Sequence, residues 1–139
     1  MSRIFWDTNI FVYLFEGSDE RAERARQLRT AMLRRGDQLL TSALALAELL
    51  VKPVERGDEA ICTRYEQAVQ NTAIVLPFAP EQARTFAQLR SGRIRPPDAV
   101  HLACAATAGV DLFVTSDARL QSVRVAGIQF IVPLERVPL

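Results

Sequence analysis

The sequence predicts an α/β fold in which a parallel sheet carries helices on both faces. Short apolar runs rich in β-branched and aromatic residues alternate along the chain with longer segments of helical periodicity. This alternation is typical of strand–helix–strand units, whose neighbouring strands run parallel. A length of 139 residues suits one domain with one hydrophobic core. We therefore expect residues 1–139 to form a single domain.

The first half of the chain contains two predicted strands and four predicted helices. Side chains at Ser18–Asp19 and Thr41–Ser42 can cap the helices that follow them, and Gly36 can end a helix. Pro53 is expected to end the third helix, which is apolar on nearly every side and therefore predicted to be mostly buried. In order, the predicted elements are a strand at 3–7, helices at 8–15 and 20–35, a strand at 38–41, and helices at 43–51 and 57–71.

The second half continues the alternation with three predicted strands and two predicted helices. Pro80 and Pro97 stand at helix starts, where a missing N–H is tolerated, and Gly109 can cap the end of the last helix. The basic segment 93–97 is expected to be an extended loop. The predicted elements are a strand at 73–77, helices at 80–92 and 98–108, and strands at 112–115 and 129–132.

Composition and charge narrow the class of protein. The formal net charge is +1, so bulk charge alone does not make the molecule a polyanion-binding surface. Lys52 is the only lysine, and arginine, which supplies the other positive charges, suits bidentate phosphate contacts. No apolar run reaches the roughly 20 residues of a membrane helix, and the N-terminus lacks a signal-peptide pattern, so we expect a cytoplasmic protein without membrane contact. Cys62 and Cys104 show no metal or redox spacing and are expected to be buried thiols.

Four acidic residues are placed where this fold would bring them together. Asp7 and Asp117 each follow an apolar strand, and Glu48 and Asp98 lie on apolar helices. Ligands of open parallel sheets bind beyond the carboxyl ends of the strands, where the strand order reverses. In the strand order 3-2-1-4-5 the strands before Asp7 and Asp117 are neighbours at that reversal. We therefore expect the four carboxylates to share one pocket.

Carboxylates gathered in one pocket repel each other, and without a cation at least one should take up a proton. A hard divalent ion removes this problem. Mg²⁺ prefers carboxylate and water oxygens and keeps positions open for phosphate, and Mn²⁺ is a plausible substitute. Such ions can activate water for hydrolysis of a phosphodiester. The acidic pattern therefore predicts a metal-dependent phosphodiesterase site.

The same residues resemble a known family. Asp7-Thr8-Asn9 after the first strand, Glu48 in an apolar helix, the segment Pro97-Asp98-Ala99-Val100-His101-Leu102-Ala103, and Thr115-Ser116-Asp117 match the PIN-domain ribonuclease pattern in order. The resemblance covers essentially the whole chain and is strongest to the VapC toxins of VapBC toxin–antitoxin pairs. It implies a PIN-like three-layer fold with about five parallel strands, and a Mg²⁺- or Mn²⁺-dependent endoribonuclease of a type II toxin–antitoxin system.

The resemblance also assigns roles to individual residues. Asp7 and Asp98 would be the most direct metal ligands. Glu48 and Asp117 would bind the metal through water, or position the attacking water or a second metal ion. Polar side chains would hold these carboxylates in place, although the hydroxyl of Thr8 could instead cap the following helix; the supporting residues are Asn9, Thr115 and Thr8.

Further expectations concern the substrate and the partners. Arg93 and Arg95 flank Asp98 and could bind RNA phosphates, and Arg3, Lys52 and Arg56 could lie near the same face. The family implies a VapB-type antitoxin partner and a homodimer.

His101 is expected to have a packed or hydrogen-bonded role, with general acid as the alternative. Short apolar helices can expose one side to a partner; candidates for that groove are Phe11, Tyr13, Leu14, Phe15 and Leu50.

One alternative function remains open at this point. A chain with this fold could bind RNA or a protein partner without cutting RNA. An intact set of four acids favours the enzyme, because a binding module that had lost catalysis would not need all of them.

Overall fold

The computed structural model describes residues 1–139 and contains a parallel sheet of five strands. The strand order is β3-β2-β1-β4-β5, as the sequence predicts. The strands are β1 (Arg3–Trp6), β2 (Gln38–Ser42), β3 (Ile74–Leu76), β4 (Val110–Val114) and β5 (Ile128–Val132). The helices are α1 (Thr8–Glu16), α2 (Glu20–Arg35), α3 (Ala43–Glu55), α4 (Glu59–Thr72), α5 (Ala83–Ser91) and α6 (Pro96–Ala108).

The sheet separates two hydrophobic clusters, which gives the three layers implied by the family resemblance. Because successive side chains of a strand point to opposite faces, Ile4 and Trp6 pack with α1–α4, whereas Phe5 packs with α6. The central strands are buried on both faces, as parallel strands usually are. No helix in the structure combines the length and apolar character required to cross a membrane.

Local signals explain most element boundaries. Asp19 caps α2 by accepting a hydrogen bond from Ala22 N–H at 3.1 Å, and Gly36 ends that helix in the left-handed region at φ 74°. Ser42 rather than Thr41 caps α3, through a 3.1 Å hydrogen bond from Ala45 N–H. The predicted extended loop begins with Arg93 at φ 68°, so the chain turns there instead of running straight into α6.

Two expectations for α3 were wrong. The helix does not end before Pro53 but continues to Glu55, because proline removes only one hydrogen bond and the next turn keeps its own, such as Arg56 N–H to Lys52 O at 3.1 Å. The helix is also not mostly buried, since Val51 and Val54 are exposed. The apolar composition of α3 therefore leaves hydrophobic surface in solvent.

Gly127 holds the start of β5 close beneath α6, and replacing it tests this packing. Its φ is 98°, and a Cβ atom there would lie 2.3 Å from the carbonyl oxygen of Ala106. Gly57 also has positive φ (67°) but has open space around the Cβ position. We expect Gly57→Ala to lower the free energy of unfolding by about 1–2 kcal/mol and Gly127→Ala to lower it clearly more. Urea denaturation of both variants measures the difference, and equal losses would contradict the close approach.

Candidate active site

The four predicted acidic residues line one cavity at the carboxyl edge of the sheet. The cavity has a volume of about 260 Å³ and lies where β1 and β4 end and where α3 and α6 pass. Its walls combine carboxylates with hydroxyl, amide, imidazole and guanidinium groups, and only one lining residue is hydrophobic. The lining residues are Asp7, Thr8, Asn9, Val12, Glu48, Arg95, Asp98, His101 and Asp117.

Asp7 is the most deeply placed of the four carboxylates. It is 6% exposed and caps α1 through a 2.8 Å hydrogen bond from Thr8 N–H to Oδ1. The hydroxyl of Thr115, which directly follows the neighbouring strand β4, donates to Asp7 Oδ2 at 2.7 Å. Burial raises the pKa of Asp7 above its usual value, and the favourable influences of His101 and of these hydrogen bonds only partly offset it. The ionised form of Asp7 is therefore held at a cost that a bound cation would remove.

Glu48 projects from α3 and accepts two hydrogen bonds on the same oxygen. Thr8 Oγ1 donates to Glu48 Oε1 at 2.6 Å, and His101 Nε2 lies 2.8 Å from that oxygen. The Thr8 hydroxyl thus reaches Glu48 and does not cap α1. Burial favours the protonated form, but the hydrogen bonds from His101 and Thr8 outweigh it and lower the pKa of Glu48.

His101 lies beneath the cavity on α6 and is 2% exposed. Its Nδ1 atom lies 2.7 Å from Ser42 Oγ, and its Nε2 atom lies 3.7 Å from Asp7 Oδ1. The imidazole therefore contacts the ends of two strands and the helix that carries Glu48. This is the hydrogen-bonded role expected from the sequence.

Two arginines neutralise the other half of the site. Arg95 Nη2 lies 3.1 Å from Asp98 Oδ2 and 3.2 Å from Asp117 Oδ2. Arg119 contacts both oxygens of Asp117, with Nε to Oδ1 at 3.0 Å and Nη2 to Oδ2 at 2.8 Å. The side-chain hydrogen bond from Arg119 is the main cause of the lowered pKa of Asp117. Asp117 also caps the 3₁₀ turn Ala118–Leu120, by accepting from Arg119 N–H at 2.9 Å.

The carboxylates therefore form two pairs, each around one nitrogen-containing side chain. Asp7 and Glu48 surround His101, and Asp98 and Asp117 surround Arg95. No three acidic, histidine or cysteine side chains converge on one point as metal ligands would. However, Arg95 Nη2 is a cationic atom that already bridges one oxygen of Asp98 and one of Asp117. The donor set of four carboxylates and the position of this stand-in cation fit a hard divalent ion.

The supporting residues are partly as expected. Thr115 holds Asp7, and Asn9 Oδ1 accepts a 3.4 Å hydrogen bond from Ser116 N–H, which ties α1 to the end of β4. The sequence analysis did not assign Ser42 or Arg119 to the site. Arg119 could have been found from its spacing of two residues after Asp117, whereas nothing in the sequence links Ser42 to His101.

Several basic residues do not belong to the cavity. Arg95 lines it, but Arg93 does not. Arg3 lies at the opposite edge of the sheet, where its guanidinium donates to the Gly109 carbonyl at 2.9 Å, because a residue that opens a parallel strand is remote from the carboxyl ends. Lys52 and Arg56 are also absent from the cavity wall, since Lys52 lies near the end of α3 and Arg56 directly follows that helix, beyond Glu48.

The pKa directions of Asp7 and Asp117 predict opposite effects of charge removal on the metal-free protein. Asp7 has a raised pKa, so its charge lowers stability above that pKa, and the penalty vanishes below the unfolded value of 3.8. Asp117 has a lowered pKa, so its charge stabilises above 3.8 and this contribution is lost in acid. In EDTA at pH 7 we expect Asp7→Asn to raise Tm and Asp117→Asn to lower it. Calorimetry at pH 7 and pH 3.5 measures both, and a shift of the same sign for the two variants would contradict the assignment.

Comparison with known proteins places the chain in a family. The PIN domain matches residues 4–126. The Ribonuclease VapC23 of Mycobacterium tuberculosis is 32% identical over 124 residues, which cover 86% of this chain and 96% of that protein.

Solved structures share the fold at lower identity. VapBC2 from Rickettsia felis, bound to a DNA fragment from its promoter, aligns with a TM-score of 0.72 and 15% identity over 94% of this chain and 98% of that chain. VapBC-5 from Mycobacterium tuberculosis, a member of the VapBC family of toxin-antitoxin systems, aligns with a TM-score of 0.61 and 24% identity over 96% and 99%. Together with the match over residues 4–126, the fold establishes that this chain belongs to the PIN-domain family.

Proposed function

We propose that this protein is a metal-dependent endoribonuclease, a single PIN domain that acts as the toxin of a type II toxin–antitoxin pair. The observation that carries the proposal is the meeting of Asp7, Glu48, Asp98 and Asp117 in one cavity. The identity of 32% to a protein named as a ribonuclease supports RNA hydrolysis as the reaction. Mg²⁺ is the proposed ion and Mn²⁺ a plausible substitute, because all four acidic side chains offer hard oxygen ligands.

Each carboxylate has a distinct proposed role. Asp7 and Asp98 would hold the ion most directly, and Glu48 and Asp117 would bind it through water, or position the attacking water or a second metal ion. The ion would polarise a water molecule and stabilise the charge that develops on the phosphate. Thr115 and Thr8 keep the oxygens of Asp7 and Glu48 at fixed positions through hydrogen bonds of 2.7 Å and 2.6 Å.

Arg95 and Arg119 are proposed to bind RNA phosphates. Both are exposed, at 57% and 64% of their side-chain surface, so their ion pairs with the acids are weak and easily exchanged. If a cation neutralised Asp98 and Asp117, these guanidinium groups would be free beside the cavity. Arginine matches the geometry of a phosphate with two parallel hydrogen bonds. Arg93, outside the cavity wall, is a more distant phosphate contact in this proposal.

A VapB-type antitoxin is the proposed partner, and a homodimer the proposed assembly. Exposed apolar surface on a helix marks a site for protein contact, and Val51 and Val54 provide it on α3. Of the groove candidates, Phe11 belongs to the core, and the half-buried ones, which pack against that core, are Tyr13, Leu14, Phe15 and Leu50. The solved VapBC relatives are themselves toxin-antitoxin assemblies by name.

Cleavage of RNA by variants of the acidic residues tests the proposed activity. We expect wild-type protein to cut total cellular RNA into discrete fragments with Mg²⁺ or Mn²⁺ and not with EDTA. Asp98→Asn should lower the rate beyond the about 10- to 100-fold typical for groups that merely support a metal ligand. Glu66→Gln, which removes one exposed carboxylate on α4, is the matched control and should leave the rate unchanged. Equal cleavage by Asp98→Asn and wild type would exclude the site, and cleavage in EDTA would exclude the metal.

Arg119→Gln should raise the apparent affinity for Mn²⁺ and lower the affinity for RNA. Removing the guanidinium frees Asp117, so the Mn²⁺ concentration for half-maximal rate should fall. Loss of a phosphate contact should raise the KM for RNA and reduce the slope of log(kcat/KM) against log[salt] by about 1. Arg124→Gln has the same charge change at an exposed position outside the cavity and serves as control. A KM equal to that of wild type would contradict the phosphate-binding role.

A further inference from the structure

Four elements of the fold meet in one chain of hydrogen bonds behind the cavity. Ser42 at the end of β2 contacts His101 on α6, and His101 contacts Glu48 on α3. Thr8 on α1 donates to the same oxygen of Glu48. We propose that His101 is a positioning residue that fixes one oxygen of Glu48, so that the other oxygen is presented to the divalent ion or its water. The proposal rests on the proposed function of this site.

The hydrogen-bond partners determine which nitrogen of His101 carries the proton. An ionised carboxylate only accepts hydrogen bonds, so the 2.8 Å contact to Glu48 Oε1 requires the proton on Nε2. On the other side of the ring, Nδ1 lies 2.7 Å from Ser42 Oγ, which itself accepts from Ala45 N–H at 3.1 Å. The Nε2 donor of the imidazole therefore points at Glu48, while Nδ1 is held by Ser42.

This arrangement gives the two oxygens of Glu48 different roles. Oε1 accepts from Thr8 and His101, at 2.6 Å and 2.8 Å, whereas no protein group donates to Oε2. A free glutamate side chain loses up to about 2 kcal/mol of conformational entropy when it is fixed. Because the two donors hold Glu48 before any ligand arrives, that loss does not weaken ion binding. Glu48 thus offers a single oriented oxygen.

The surroundings of His101 distinguish positioning from proton transfer. A general acid must reach the leaving oxygen of the substrate, yet His101 is 2% exposed and both of its nitrogens are engaged within the protein. Glu48, whose side chain is 36% exposed, lies between the imidazole and solvent. His101 therefore acts on the reaction only through Glu48.

Two isosteric substitutions separate the contacts of the imidazole. In His101→Gln the amide nitrogen can take the place of Nε2 and still donate to Glu48. In His101→Asn the amide takes the place of Nδ1, so the contact to Ser42 survives and the contact to Glu48 is lost. Binding of Mn²⁺ without RNA, followed by electron paramagnetic resonance of the free ion, is the measurement. We expect His101→Asn to weaken Mn²⁺ binding by about ten-fold or more, and His101→Gln to retain most of the wild-type affinity.

A second pair of variants changes the other donor to the same oxygen of Glu48. This test does not depend on the folding of the His101 variants. Thr8→Val removes the other donor to Glu48 Oε1 and should weaken Mn²⁺ binding, and Thr8→Ser should restore it. Thermal unfolding in EDTA identifies the variants that remain folded. Unchanged Mn²⁺ affinity in folded His101→Asn or in Thr8→Val would overturn the inference and leave the nuclease proposal intact. Failure of wild-type protein to bind Mn²⁺ would overturn both.

Discussion

The parallel pairing of β1 with β4 is the constraint on which the site depends. In this register Phe5 lies beside Phe113 and Trp6 beside Val114, and the ring centroids of the two phenylalanines are 4.8 Å apart. The ladder continues past the strand end, where Asp7 N–H donates to Val114 O at 3.0 Å. A shift of one residue would turn every side chain of β1 to the other face. The packing of two apolar strands thus fixes the deepest carboxylate of the cavity.

Concentrating four carboxylates at this edge costs stability, and the fold reduces the cost with donors from its own chain. Hydroxyl groups and an imidazole supply hydrogen bonds in the buried half, where Thr115 contacts Asp7 and His101 contacts Glu48. Guanidinium groups supply charge in the other half, where the long side chains of Arg95 and Arg119 reach Asp98 and Asp117 from the surface. The raised pKa of Asp7 shows that compensation is incomplete where burial is greatest.

The sequence predicts the helices, the strands and their order better than the hydrogen bonds between side chains. The bounds of α2 agree with the prediction, because Asp19 and Gly36 are local signals that act within one turn of the helix. The strand order agrees with the order of doubly wound sheets assumed for this chain. Given that order, the gathering of the four acids follows from the rule that parallel sheets bind ligands where the strand order reverses. The end of α3 does not follow, because the effect of Pro53 depends on how much helix remains after it.

The contacts that sequence reasoning missed are those set by the packing of separate elements. Thr8 could cap its own helix or reach Glu48, and only the approach of α3 to α1 decides between them. The partnership of Ser42 and His101 joins residues 59 positions apart, whose individual residue types carry no signal of contact. Arg93 and Arg95 are both basic residues of one loop, but the turn at Arg93 sends only Arg95 into the cavity.

The site consequently has one fixed half and one exchangeable half. The pair around His101 is held by groups that are themselves buried and hydrogen-bonded, so leaving it would strand polar atoms away from water. The pair around Arg95 is held by exposed guanidinium groups, whose ion pairs contribute only about 0–1 kcal/mol. In the proposed function, a cation that bound Asp98 and Asp117 would replace these weak contacts at little cost, while Asp7 and Glu48 would keep their positions. Arg95 and Arg119 would then carry free positive charge at the rim of the cavity, where the proposed RNA phosphate would bind.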